Sequence, residues 1–456
     1  MANSRKPLHA EVLSAVRQSL QNHAGAPGRV CVGLSGGLDS VVLLSALHVL
    51  APEFRIHLRA LHVNHQLQPE AERWEAFCLD SCARLGIPCD VVRVSVDCSG
   101  GESLEARARA LRYQAFGRQP ADLVALAHHQ EDQAETVLIQ LLRGAGLPGL
   151  SAMPEIRPLG PGWGGPQLLR PLLRVPRNAL REYATLHHLS WVEDPSNLST
   201  QHVRNYLRHE VVPVLARRFP AWANTLGRSA AHLAEAGELL DQLAESDFSV
   251  CRSGEGIRIA SALALGESRA ANLLRWWLRQ QGAPAAHQKQ LEDWLRQSRG
   301  REDRMPSLTW GGWSLTRFKG CWQLNPVLCG DWQELYFERW PQGEIRIPEA
   351  GLLRGQLMQG KGVRLSWFSE GPVSVRRRQG GERLRPHPDR PSRTLRNLLQ
   401  EAGLPSWWRD AMPLLFREGR LVCVPGVAVD VSVQASPGET GTWFQWDPFA
   451  SEPAQQ

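Results

Sequence analysis

Residues 29–40 read Arg-Val-Cys-Val-Gly-Leu-Ser-Gly-Gly-Leu-Asp-Ser, and residues 41–51, VVLLSALHVLA, continue as an apolar run. Arg29 to Leu34 is strand-like, and a helix opening near Leu38 would offer unpaired backbone N–H groups and a positive dipole end to whatever occupies the turn between them. Gly36 and Gly37 let the backbone approach a phosphate closely. The turn is an anion cradle, with Ser35, Gly36, Gly37, Leu38, Asp39 and Ser40 as candidate nucleotide-binding residues. It has no lysine and lacks the GxxxxGK[ST] spacing, so it is not a Walker A loop. Asp39 would repel phosphate unless a cation stands between them, which predicts Mg2+. Taken alone, the same residues also suit a serine-capped strand-to-helix turn that binds nothing.

Outward from this loop, to about Gly144, the hydrophobic period switches between strand and helix, as in an α/β doubly wound parallel sheet. Four βα units are expected, with strands near Arg29–Leu34, Arg55–Val63, Cys89–Val96 and Asp122–Ala127. Helices are expected near Leu38–Leu50, Pro69–Leu85, Ser103–Gly117 and Asp132–Arg143. The other three strands also end in polar residues: His62-Val63-Asn64-His65, Gly100-Gly101-Glu102, and His128-His129-Gln130-Glu131-Asp132. Ligands of open α/β sheets bind outside the carboxyl ends of the strands, so four such clusters describe one site. Any one histidine there would equally suit a core or surface role.

Asp132 and Glu135, three residues apart at a helix start, share a face near this mouth, although capping the helix dipole would also explain them. His128, just upstream, adds a residue type that can titrate near neutral pH, which makes it the expected group for proton transfer. A zinc site is disfavoured by oxygen-rich neighbours and unsuitable spacings. Glu105, Arg109 and Arg112 share the face of the preceding helix, where the arginines would clamp phosphate or pair with the glutamate in solvent.

The 456 residues suffice for about three domains. A Pro/Gly-rich connector, Pro158–Pro166, leads into a mostly helical segment to about Leu215, and Arg217–Pro220 reads as a boundary. Expected domains are a catalytic domain over 1–216, a helical middle domain over 217–345, and a small α+β C-terminal domain over 346–447. Hydrophobic residues are 43% and charged residues 21%, which excludes a disordered chain. The most apolar stretch, Val41–Ala51, is too short to span a bilayer, and Glu11 and Arg17 interrupt any secretory core, so the expected location is cytoplasmic. The nine cysteines contain no CxxC and read as reduced thiols. The net charge is +6, and only four of the 52 basic residues are lysine, which leaves 48 arginines. Arginine suits RNA phosphate and base stacking, although a GC-rich genome gives the same bias.

The loop Ser35–Ser40 resembles the SGGxDS signature of the PP-loop ATP pyrophosphatases. Within that superfamily the chain is similar to bacterial tRNA(Ile)-lysidine synthetases. The resemblance is carried by His62–His65 (HVNH), Glu105–Tyr113 (EARARALRY), Ala127–Thr136 (AHHQEDQAET), Arg143–Leu150 (RGAGLPGL), Arg170–Leu173 (RPLL), Glu193–Asn197 (EDPSN) and Arg204–Arg208 (RNYLR). Gly380–Leu415 is similar to the family's terminal domain, and the middle, about 220 to 345, matches only in position and helical character. Gln68 stands where the family often has arginine, and Glu131 where a second aspartate is usual.

The resemblance implies ATP-dependent adenylation of the wobble cytidine C2 oxygen in a CAU-anticodon isoleucine tRNA, followed by displacement of AMP by the side-chain amine of free L-lysine. It implies that Ser35, Gly36, Gly37 and Ser40 cradle ATP, that Asp39 and Asp132 hold Mg2+, and that Arg112 with Arg109 stabilises charge in transfer. Glu135 and His128 would fix and deprotonate the lysine amine, and His62 and Asn64 would line the adenosine pocket. RNA contacts are expected from Arg204 and Arg208, and from the basic run containing Arg376, Arg377, Arg378, Arg383, Arg393 and Arg396, which would otherwise be a solvated charged face. Trp407 and Trp408 beside that run would stack on RNA or fill a core. No membrane partner is expected, and a homodimer is allowed. The rival readings are a tRNA thiolase, disfavoured by the missing CxxC, an amidotransferase-type synthetase, and a protein that only binds RNA.

Overall fold

The computed structural model describes residues 8–23, 28–96, 104–159, 165–195, 199–200, 202–300, 306–327, 332–341, 343–348 and 350–448. The chain divides into two compact units, Met1–Gln242 and Leu243–Gln456, and the division falls within the helix Trp222–Cys251.

The first unit begins with a helix, α1 (Leu8–His23), followed by β1 (Arg29–Gly33), α2 (Leu38–Phe54), β2 (His57–Asn64), α3 (Ala71–Arg84) and β3 (Cys89–Arg93). Then come α4 (Leu104–Gly117), β4 (Leu123–Ala125), α5 (Gln130–Leu142), α6 (Leu147–Leu150), β5 (Ile156–Pro158), β6 (Gln167–Leu169) and α7 (Arg177–Leu186). The sheet order is β3-β2-β1-β4-β6-β5, parallel throughout except for the β5–β6 pair. β1 is central, with Val30 opposite both Leu58 and Leu123, and its residues Val30, Cys31 and Val32 are buried. Burial on both faces explains why this strand is an unbroken apolar run. Chain order reverses between β1 and β4, so the crevice for a ligand opens at their carboxyl ends. Gly33 ends β1 because a Cβ there would stand 2.4 Å from Leu126 Cδ2 and 2.8 Å from Phe116 Cζ.

The expected four βα units are present, and the sheet has two further strands. β5 ends where the expected connector begins and β6 lies in the stretch expected to be mostly helical; at three residues each they are too short to show a period. β6 lies against β4, through Leu123 opposite Gln167 and Ala125 opposite Leu169, and carries Arg170 to the mouth of the sheet. The first helix, also unexpected, buries Val12, Val16 and Leu20 in the core beneath the sheet.

The second unit has two parts. Helices Ile259–Ala264, Glu267–Gln280 and Gln288–Ser298 share a core with strands Gly256–Arg258, Trp313–Phe318 and Cys321–Pro326, centred on Trp277, Trp294 and Trp322. A five-stranded and a four-stranded sheet follow, with a core containing Trp332, Trp367, Val375 and Phe444. The dense tryptophans of this half largely fill cores. Among the described residues no helix is long and apolar enough to cross a membrane.

Candidate active site

A cavity of about 890 Å³ opens at the carboxyl ends of the sheet. It is lined by Ser35, Gly37, Leu38, Asp39 and Ser40 from the loop, His62 and Asn64 from β2, Arg112 from α4, His128 after β4, and Arg208. Gly100, Gly101 and Glu102, expected to complete the mouth, lie outside the described residues, as does the Glu105 side chain. Arg109 does not line the cavity; its Nη2 donates to Tyr113 Oη at 3.0 Å.

The loop is held by its own serines. Ser35 N–H donates to Ser40 Oγ at 3.2 Å, and Ser40 Oγ donates to Gly37 O at 3.0 Å. Gly36 has φ +84°, a left-handed conformation, and a Cβ there would stand 3.0 Å from Val192 Cγ2 and 3.2 Å from Cys78 Sγ. Both the geometry and the space therefore call for glycine. The loop leads into α2 with Asp39 in its first turn, so its backbone donors face the cavity at the positive end of a 17-residue helix.

His129, which the sequence reading passed over, joins the two aspartates. It is 2% exposed, with Nε2 3.8 Å from Asp39 Oδ2 and 3.4 Å from Asp132 Oδ2, while Nδ1 meets Glu131 Oε2 at 3.0 Å. Asp132 also accepts the His129 backbone N–H at 3.1 Å, so it caps α5 while it faces the site. Burial opposes the protonated imidazole, yet Asp132, Glu131 and Asp39 together raise the His129 pKa above its ordinary value. Asp39 is moved up by burial against the opposing charges of His129 and Arg177. Its Oδ1 is buried with no hydrogen-bond partner. A carboxylate oxygen without a hydrogen bond, its ion-pair partner Arg177 Nε at 3.9 Å, beside a second carboxylate and a phosphate cradle fits Mg2+, which is commonly bound through one or two carboxylates plus phosphates.

Glu135 is 2% exposed and is held by two arginines. Arg208 donates from Nε at 2.8 Å and from Nη2 at 2.9 Å, and Arg204 Nε lies 3.5 Å away. Arg208 Nη2 also reaches Asp132 Oδ1 at 3.2 Å, and Arg204 Nη2 donates to Thr136 Oγ1 at 2.8 Å. Arg208 sits in the π-helical turn Leu207–Val211, the kind of local widening that re-aims side chains at functional sites. Arg204 and Arg208, expected to contact RNA, thus turn inward onto the carboxylates of α5. His128 follows a different rule from its neighbour. Burial, with Arg170, Arg109 and Arg112 nearby, outweighs Asp132 and pushes its pKa down to about 3, so the ring is neutral. Its Nδ1 is buried without a hydrogen-bond partner.

His62 and Asn64 line the cavity but are tied to the framework. His62 Nδ1 donates to Leu34 O at 2.9 Å. Asn64 donates from Nδ2 to Glu75 Oε2 at 2.8 Å and accepts from Gln66 N–H at 2.9 Å. Glu75 is in turn gripped by Arg93 at 2.6 Å. The hydrogen bonds from Arg93 and Asn64 hold the Glu75 carboxyl below its ordinary value of 4.5. A lowered carboxyl adds stability that is complete above about pH 4.5 and is lost as pH falls through the lowered pKa. Glu75→Gln is therefore expected to flatten the acid limb of a Tm-against-pH curve below pH 4.5; an unaltered limb would show that this contact does not contribute.

The arginines of the C-terminal run are largely engaged. Arg376 lies 3.7 Å over the ring of buried Phe416, Arg378 donates to Asp410 at 2.7 Å, Arg383 to Ser392 O at 2.8 Å, and Arg393 pairs with Glu401. Arg396 is exposed, with no ion pair among the described residues, and the Trp407 side chain lies outside them. Arg376→Ala is accordingly expected to lower stability by about 1–2 kcal/mol through the lost stacking. Arg396→Ala should instead leave Tm unchanged and lower the salt slope of RNA binding by about one. Thermal melts and filter binding at several salt concentrations separate the two; equal effects on both readouts would contradict the distinction.

The comparisons with known proteins cover up to 98% of the chain. A PP-loop domain family matches residues 9–215, a TilS substrate binding domain family residues 258–322, and a TilS substrate C-terminal domain family residues 373–446. The tRNA(Ile)-lysidine synthase of Nitrosomonas europaea is 38% identical over 98% of this chain and 98% of its own. That of Coxiella burnetii is 39% identical over 91% and 92%, and that of Chromobacterium violaceum 40% identical over 91% and 95%. With a PP-loop domain over residues 9–215 and synthases 38–40% identical over 91–98% of its length, the chain belongs to the tRNA(Ile)-lysidine synthase family.

Proposed function

We propose that this chain ligates L-lysine to C2 of the wobble cytidine of a CAU-anticodon isoleucine tRNA, with ATP cleaved to AMP and pyrophosphate. The observation that carries this is a cavity lined by the serine-glycine loop, Asp39, His128 and Arg208, with Asp132 and Glu135 behind it bonded to His129 and Arg208, in a chain matched over 98% of its length by such a synthase.

The C2 oxygen of cytidine is a poor leaving group until it is esterified to AMP. The loop therefore has to hold the pyrophosphate end of ATP and leave the α-phosphate open to the base. The loop Ser35–Ser40, at the positive end of α2, would do the first, its serines exchanging the hydrogen bonds they make within the loop for phosphate oxygens. Asp39 and Asp132 would hold Mg2+, which neutralises phosphate charge when bound. Arg112, on the cavity wall, faces the charge that develops during transfer.

In the second half, Glu135 anchors the incoming lysine by exchanging one of its two guanidinium partners for the ammonium group. The ammonium would first give a proton to the Glu135 carboxylate, which releases it to water; the free amine then forms the bond to C2, the C2–O bond to AMP breaks, and the adduct loses its second N–H proton. A weak base suffices for that proton, and His128, neutral and with no hydrogen bond at its buried Nδ1, would accept it. The test is order of reaction. With ATP labelled at the α-phosphate and lysine withheld, label should become attached to the tRNA and chase to AMP when lysine is added. Release of AMP with no labelled RNA at any time would contradict the adenylated intermediate.

A further inference from the structure

Beside the nucleotide cavity, three strand-end and helix arginines converge on one tyrosine. Arg109 and Tyr113 lie on α4, Arg157 on β5, and Arg170 directly after β6. The guanidinium carbons of Arg109 and Arg157 stand 4.9 and 5.1 Å from the centre of the Tyr113 ring. Arg170 is 2% exposed; its Nη1 donates to Pro154 O at 2.7 Å, and its Nε is buried without a hydrogen-bond partner. None of Arg109, Arg157 and Arg170 forms an ion pair with a carboxylate among the described residues. The cluster runs from exposed Arg109 through half-buried Arg157 to buried Arg170, a positive funnel with no carboxylate paired to it among the described residues, in which Arg109 donates to Tyr113 Oη at 3.0 Å.

A buried guanidinium without a carboxylate is costly unless an anion arrives to complete it. Tyr113, covered by two guanidiniums, has little ring face left for a base, so the ligand chemistry is phosphate rather than nucleobase. The phosphates of ATP have their own cradle after β1. Arg170 follows β6, two strands away in the order β1-β4-β6, or about 10 Å at ordinary strand spacing. That separation is too long for one phosphate to serve both. Leu126 N–H donates to Leu169 O at 2.9 Å, which sets Arg170 beside the chain leading to His128. A base entering the cavity toward His128 would carry its flanking backbone phosphate toward this side of the sheet.

We propose that Arg109, Arg157 and Arg170 form a second anion site that takes a phosphodiester of the substrate RNA next to the reacting nucleotide and so positions that base. This rests on the reading that the substrate is RNA. The shared chemistry, a phosphate anion, would also be offered by the pyrophosphate product, and the experiment separates the two.

The variants are Arg157→Gln, at the half-buried position, and Arg170→Lys, which keeps charge but loses the fork that grips two phosphate oxygens. Measured quantities are Tm, Kd for CAU-anticodon isoleucine tRNA at several salt concentrations, and Kd for a non-hydrolysable ATP analogue and for pyrophosphate. The expected result is a tRNA Kd about tenfold weaker in each, a salt slope lower by about one in Arg157→Gln, and nucleotide and pyrophosphate Kd within about twofold of wild type. Unchanged tRNA affinity and slope in folded variants would overturn the site. Weakened pyrophosphate binding with intact tRNA binding would overturn the RNA assignment. Wild-type lysine incorporation is run alongside: its absence counts against the synthase reading, whereas incorporation with unaltered tRNA affinity in both variants counts against this site alone.

Discussion

Asp132→Asn is expected to reduce lysine ligation by about 10²- to 10⁴-fold, the range for removing a group that acts on charge or protons in the transition state. Asp132 is the meeting point of the site. It touches His129 through both backbone and ring, and it accepts from Arg208 at 3.2 Å. Burial raises its carboxyl, but His129, His128 and Arg204 outweigh that, and it ionises more readily than usual. Asparagine keeps the shape and one acceptor while removing the charge that would face Mg2+ and balance the cations around it. The fall should reside in kcat, with tRNA affinity changed little, because the RNA-facing arginines are untouched. Single-turnover kinetics check this, and a variant within about tenfold of wild type would remove Asp132 from the centre of the mechanism.

Glu135→Ala should damage the fold as well as the chemistry. Glu135 is 2% exposed and neutralises Arg208 and Arg204, which are 25% and 33% exposed. Removing one partner of a wholly buried pair costs about 3–5 kcal/mol, and the partial exposure of these arginines reduces that to roughly 2–4 kcal/mol. Urea unfolding of the variant should give a lower midpoint, and the double variant Glu135→Ala, Arg208→Met should recover part of the loss because it no longer strands a cation. A variant as stable as wild type would show that the arginines find water instead and that Glu135 is spared for ligand binding alone.

These predictions rest on contacts of unequal legibility. The loop and α2 were readable because glycine conformation, the apolar run and the helix start all lie within twelve residues, Arg29 to Ser40. The sheet mouth was readable because the ends of β1, β2 and β4 are followed by aspartate, histidine or asparagine, while the cluster expected after β3 lies outside the described residues. His129 was not singled out, since nothing in the order His128-His129 says which ring turns into the core; the answer depends on where Asp39 arrives from β1. Arg204 and Arg208 looked like an RNA-facing pair because a basic helix reads as surface. What turns them inward is the π-helical turn and a glutamate 73 residues earlier, neither of which has a local signature. β5 and β6 left no period to read, so the arginines they carry, Arg157 and Arg170, stood outside the expected site. In the C-terminal unit the run of arginine was visible, but the acids and rings that engage it, Asp410, Glu401 and Phe416, are distant in sequence.

The most direct test of the central claim is incorporation of radiolabelled lysine into an isoleucine tRNA transcript with a CAU anticodon. It is run with and without ATP and Mg2+, beside an elongator methionine tRNA of the same anticodon. ATP-dependent labelling of the isoleucine tRNA alone is the predicted result, with AMP and pyrophosphate formed in equal amounts. Formation of AMP and pyrophosphate with tRNA but without bound lysine would contradict the account, because the site would then activate the base for a different nucleophile.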